Sequence, residues 1–82
     1  MNRIKLLFFA TLRDRAGTKS MELELSSNLT VQELKDKISD EYPNLKDSMS
    51  SVLITINREF AFDDAVIPEN AELAMFPPVS GG

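Results

Sequence analysis

One stretch of this chain leaves little freedom in how it folds. Thr30-Val31-Gln32-Glu33 sets a hydroxyl and a carboxylate three residues apart, so each side chain can satisfy a backbone amide beside the other, a capping box. Val31, Leu34, Ile38 and Tyr42 then fall at i, i+3, i+7 and i+11, a single apolar stripe. Lys35, Asp36, Lys37, Asp40 and Glu41 are expected on the wet side, and Pro43 ends the helix near Glu41 or Tyr42. In a chain of 82 residues, one domain's length, the compact way to cover such a stripe is a sheet.

The flanking segments supply strands. Ile4 to Leu12 reads as the first, with Ile4, Leu6, Phe8 and Ala10 on a face free of charge and Lys5, Leu7, Phe9 and Thr11 on the other. Arg15-Ala16-Gly17-Thr18 reads as a turn, with Gly17 available for positive φ. Met21, Leu23 and Leu25 alternate with Glu22, Glu24 and Ser26, and the short connection predicts a hairpin with the first strand. After the helix, Leu45 to Met49 reads as one short helical turn and Val52 to Ile56 as a strand. Asn57-Arg58-Glu59 turns tightly into Phe60-Ala61-Phe62. Asp63 to Asn70 is irregular, with Val66 and Ile67 tucked in and Asn70 suited to the left-handed region. Asp63-Asp64 has no third ligand nearby and reads as a solvated loop rather than a metal or acid–base pair. Leu73 and Met75 alternate with Glu72, Ala74 and Phe76 in a last strand, which Pro77-Pro78 must end. The class is α+β: a mixed sheet of four to five strands with one main helix across one face. That is the β-grasp arrangement of ubiquitin, with residues 1–76 as the body and 77–82 as an extended tail.

Composition removes most catalytic chemistry. There is no cysteine and no histidine, hence no thiolate, no disulfide, and neither the commonest general base nor the commonest metal ligand. No apolar run approaches the ~18 residues of a membrane span, and Leu6 to Ala10 is too short for a signal-peptide core, so no membrane is expected and a cytoplasmic location is the default. The formal net charge is −4, unevenly spread: five bases face Asp14 alone in residues 1–19, whereas Lys35, Lys37, Lys46 and Arg58 face twelve acids in the rest. Such a surface argues against nucleic acid and favours a basic partner.

The tail is the unusual part. Gly81-Gly82 carries no side chain and can thread a slot too narrow for any Cβ, while Pro77-Pro78 favours an extended exit from the sheet. A stem of this kind can deliver an α-carboxylate deep into another protein.

Three segments resemble the MoaD family, the small subunits of molybdopterin synthase. They are Leu7 to Asp14, Val31 to Leu34, and Glu72-Leu73-Ala74-Met75-Phe76-Pro77-Pro78-Val79-Ser80-Gly81-Gly82. The family has Gly-Asp where Asn70-Ala71 stand here, and Asn tolerates the same turn. The resemblance implies a sulfur carrier. A MoeB-like adenylyltransferase using ATP with Mg would adenylate Gly82, and a sulfurtransferase would supply sulfur to make a thiocarboxylate. Pro77, Pro78, Val79, Ser80 and Gly81 would carry it into a MoaE-like large subunit. There the sulfur would be donated to cyclic pyranopterin monophosphate to build a dithiolene, within an assembly of two small and two large chains. No cofactor would be bound permanently, and the catalytic groups would belong to the large subunit. An adenylate is a far better electrophile than a carboxylate, and a thiocarboxylate ionises without help, which suits a chain lacking histidine and cysteine.

Strand parity puts Phe9 and Phe76 on the face away from the helix, as a docking patch beside the tail that Phe60 extends. Arg13, at the end of the first strand, is a candidate contact to the acidic terminus or the partner, against its reading as a solvated charge at a strand end. Two other roles fit the same fold. One is a sulfur carrier of another pathway, of the thiamine-pathway ThiS type or the ubiquitin-related-modifier type. The other is a ubiquitin-like interaction module whose Gly-Gly is incidental.

Overall fold

A computed structural model describes residues 1–78. Five strands and three helices follow in the order β1 (Asn2–Phe8), α1 (Ala10–Ala16), β2 (Ser20–Leu25), α2 (Val31–Glu41), α3 (Pro43–Met49), β3 (Leu53–Ile56), β4 (Glu59–Ala61) and β5 (Glu72–Phe76). They form one mixed sheet, β2-β1-β5-β3-β4, in which β1 and β5 run parallel at the centre and every other neighbour is antiparallel. This is the β-grasp arrangement.

The capping box at the start of α2 is present in both directions. The Glu33 amide donates to Thr30 Oγ1 at 3.2 Å, and the Thr30 amide donates to Glu33 Oε1 at 3.1 Å. Val31, Leu34 and Ile38 are buried in one cluster with Ile4, Leu6, Phe8, Leu73 and Met75 from the inner face of the sheet. Truncating any of these to Ala would cost about 2–5 kcal/mol, the lost transfer energy plus the cavity left behind. Pro43 both stops α2 and starts α3, where its missing N–H goes unneeded. The shorter helices α1 and α3 close the end of the core with Leu12, Leu45 and Met49.

Four local expectations are corrected. The first strand ends at Phe8, and Ala10 to Ala16 is helical, so β1 and β2 pair antiparallel across a helix rather than a tight turn. Ala10 makes the change of direction in the left-handed region (φ 53), a strained conformation for alanine. Leu12 plugs the core, and Gly17 ends the helix at φ 76 with its N–H on the Arg13 carbonyl. Second, Lys35 is buried, only 9% exposed, with Nζ 2.6 Å from Asp63 Oδ1. Asp63 is therefore a structural partner to α2 rather than just a solvated loop residue. Third, Ile67 is buried as expected but Val66 is 53% exposed. The irregular stretch straps the start of α2, since the Gln32 and Val31 amides donate to the Asp63 and Ala65 carbonyls and Val66 bridges to Thr30. Fourth, the short strand β4 stops at Ala61, which leaves Phe62 beyond it.

Asn70 takes positive φ as its side chain allows, and it is held by Asn2. Among the described residues, no helix is long and apolar enough to cross a membrane.

Candidate docking face and tail exit

The face of the sheet away from the helices follows from the pairing register, because residues opposite one another share a side. One row runs straight across four strands: Leu7 opposite Ala74, Ala74 opposite Thr55, Thr55 opposite Phe60. The next row, toward the end of β5, holds Leu53 opposite Phe76. Phe9 completes that row. It lies one residue past β1, yet its backbone stays extended (φ −122, ψ 151) and its N–H donates to the Met75 carbonyl at 3.2 Å. The pleat continues through it, so the parity argument survives the early end of the strand.

The Phe9 and Phe76 rings stack on one another in consequence. Phe9 is 40% exposed and Phe76 half-buried, so the pair is a surface feature. Ala74 and Thr55 are small where their row-mates are large. They form the floor of a shallow hollow walled by Leu7, Phe9, Phe76, Arg58 and, on the side toward the ionic half, Glu72. The other half of the same face is charged: Lys5 stands between Glu22 and Glu72, and Arg3 pairs with Glu24 at 2.8 Å. The outward face thus divides into an ionic half and an apolar half, with the apolar half beside the residue that hands over to Pro77.

Each expected site residue can now be placed. Phe9 and Phe76 come together. Phe60 lies on the same face at its far edge, 73% exposed, with Thr55 between it and the stack. Arg13 is not at a strand end but on α1, in a surface cleft with Asp14, Gly17, Thr18 and Lys19, and does not line the hollow. Pro77 is half-buried and Pro78 exposed. Val79, Ser80, Gly81 and Gly82 lie outside the described residues. Leu53, Thr55 and Arg58 were missed. Parity along Val52 to Ile56 was enough to find the first two, since Leu53 and Thr55 alternate with buried Val52 and Ile54.

Comparison with known proteins gives a match to the ThiS family over residues 6–82. The chain belongs to the ThiS family. The molybdopterin synthase sulfur carrier subunit of Arabidopsis thaliana is a relative of this ThiS-family chain, 35% identical over 96% of it and 82% of the plant protein. Among solved structures, a putative molybdopterin converting factor subunit 1 from Pyrococcus furiosus superposes with a TM-score of 0.85. It is 25% identical and covers 96% of this chain and all of that one. The fold is also that of a chain in a Helicobacter pylori complex of subunits 1 and 2 of the molybdopterin-converting factor. That match has a TM-score of 0.68 at 18% identity, over 98% of this chain and 99% of the other. The resemblance to molybdopterin synthase small subunits read from the sequence is matched by the names of its relatives.

Proposed function

We propose that this chain is the sulfur-carrier small subunit of a molybdopterin synthase, acting in the cytoplasm through a thiocarboxylate on Gly82. The observation that carries the reading is the apolar patch of Phe9, Phe76 and Leu53, set where β5 gives way to Pro77. A partner seated on that patch is in position to receive whatever leaves the sheet there. The plant relative's name and the Helicobacter complex support a large subunit as that partner.

The chemistry follows from what the chain lacks. The Gly82 carboxylate attacks the α-phosphate of ATP on a MoeB-like enzyme, with loss of pyrophosphate. A sulfide equivalent from a sulfurtransferase then displaces AMP from the acyl carbon. The thiocarboxylate enters the large subunit, which supplies the acid–base groups, and its sulfur passes to cyclic pyranopterin monophosphate. The chain has neither histidine nor cysteine to take part itself.

Intact-mass measurement after incubation with ATP, a MoeB-like enzyme and a sulfur source tests the reading. A gain of about 16 Da is expected, one oxygen exchanged for sulfur at the last carboxyl. An unchanged mass under conditions that load a known carrier would overturn it. Co-purification with a thiazole synthase in place of a large subunit would move the chain to the thiamine-pathway alternative.

A further inference from the structure

The turn between β3 and β4 holds, in a conformation suited to glycine, a side chain that the turn itself does not need. Ile56 pairs with Glu59, so Asn57 and Arg58 form a two-residue hairpin loop. Both have positive φ, 50 and 73. Such turns favour Asn followed by Gly, because the second position suits a residue without a Cβ. Asn57 obeys the rule and is pinned on both sides: its N–H donates to the Glu72 carbonyl at 2.7 Å, and its Oδ1 accepts from the Glu72 amide at 3.0 Å. Arg58 breaks the rule. Strain kept at a fixed turn points to a use for the side chain that causes it.

The surroundings indicate the use. Arg58 lines the same hollow as Leu7, Phe9, Ala74 and Phe76. Among the described residues it makes no ion pair and no side-chain hydrogen bond, although Glu59 and Glu72 are close in the chain and sheet. The other cations are occupied or elsewhere: Arg3 pairs with Glu24, Lys35 with Asp63 and Lys37 with Glu41, while Lys5 lies between two acids on the ionic half. Among the described residues Arg58 is the one cation lining the hollow, and Glu72, with which it makes no ion pair, is the one acid.

We propose that Arg58 is a specificity-determining anchor that receives a carboxylate side chain of the docked partner. The partner presents an Asp or Glu ringed by apolar side chains, so that the rings of Phe9 and Phe76 exclude water around the pair. A guanidinium suits this because it grips a carboxylate through two parallel hydrogen bonds. Charge complementarity on an otherwise acidic half of the chain gives the contact its selectivity, since a partner lacking the carboxylate meets an unpaired cation there. The inference rests on the docking reading of the face made above.

The test uses the full chain and a molybdopterin synthase large subunit from the same organism, with Kd measured calorimetrically and Tm by circular dichroism. Arg58→Gly relieves the turn, so its Tm is expected to stay level or rise while Kd weakens about tenfold, and Arg58→Glu is expected to weaken it about a hundredfold. Arg58→Lys keeps the charge and recovers part of the loss, and the gap between wild type and Arg58→Glu narrows between about 50 and about 300 mM NaCl. An unchanged Kd in both Arg58→Gly and Arg58→Glu would overturn the anchor. If Phe9→Asp still weakens binding in that case, the anchor alone fails; if Phe9→Asp is also silent, the docking reading fails with it. Self-association of the free chain that Arg58→Glu abolishes would assign the carboxylate to a second copy and overturn the assignment to the partner.

Discussion

Phe9 and Phe76 stand with ring centroids 4.6 Å apart and planes 10° from parallel, joining the end of one central strand to the end of the other. The stack lies on the solvent side of the sheet, so it adds about 0.5–1.5 kcal/mol to the fold at most. Its larger effect is on docking, where two aromatic rings exclude water together. Phe9→Asp is expected to lower Tm by roughly 4–8 °C, the equivalent of about 1 kcal/mol in a domain this small. The same change should raise the Kd for the large subunit more than about tenfold, which calorimetry with far-UV circular dichroism would check. Phe76→Asp should weaken binding similarly and cost more stability, because its ring is the more buried of the two. Global unfolding of Phe9→Asp would place that ring in the core and contradict the register.

Lys35 and Asp63 make an asymmetric pair. The lysine side chain is 11% exposed and the aspartate 56%, so water screens the acid more than it does the lysine. Removing the acid takes away the one ion-pair partner that Lys35 has among the described residues, whereas removing the lysine leaves an acid that water can solvate. Asp63→Ala is therefore expected to cost about 1–2 kcal/mol, discounted for that exposure, while Lys35→Met is expected to be near neutral. Urea denaturation of both variants would check the asymmetry. Equal losses would show the pair to be a simple surface contact.

Asn2 ties the start of β1 to the segment that leads into β5. It is buried, its Nδ2 donates to the Pro68 carbonyl at 2.8 Å, and its Oδ1 accepts from the Asn70 amide at 2.8 Å. Asn2→Ala strands both backbone groups and is expected to cost about 1–3 kcal/mol. Hydrogen exchange should quicken at the Asn70 amide before the rest of the sheet. Asn2→Asp keeps the acceptor but sets a buried carboxylate against the Pro68 carbonyl, and should cost at least as much as Asn2→Ala.

These contacts mark where local pattern stops informing the sequence. Thr30 with Glu33, and Val31 with Leu34 and Ile38, settle α2 within a dozen residues, so that helix could be read directly. The same stripe pattern reaches Lys35, at i+4 from Val31, and its long apolar stem allows burial once Asp63 meets the charge. Charge alone had placed it in water. Helix α1 has only Leu12 and Ala16 to bury and follows an aromatic lead-in with strand propensity, so it depends on Gly17 and on packing with α3. Asn2 and Arg58 gain their meaning from neighbours more than ten residues away in the chain, which no window shows. The outward patch was legible because parity is local, and Phe9 kept it by staying extended one residue past its strand.

The proposed chemistry makes its sharpest demand at Gly82. If the acyl carbon there accepts AMP and then sulfur, any side chain at that position must fit the narrow approach to two successive enzymes. Gly82→Ala adds one methyl group six residues past the end of β5 in the chain, so the melting curve is expected to match wild type within about 1 °C. Loading with sulfur should fall by at least about a hundredfold, since misplacing a reacting atom by about 1 Å is enough for that. Large-subunit affinity should change little, because Phe9, Phe76 and Leu53 are untouched. Loading, followed by intact mass, and binding, followed by calorimetry, are thus expected to separate in this variant. A Gly82→Ala chain that loads at the wild-type rate would show that the reacting carbon is elsewhere, and one that loses binding as well would show that the tail, rather than the sheet face, holds the partner.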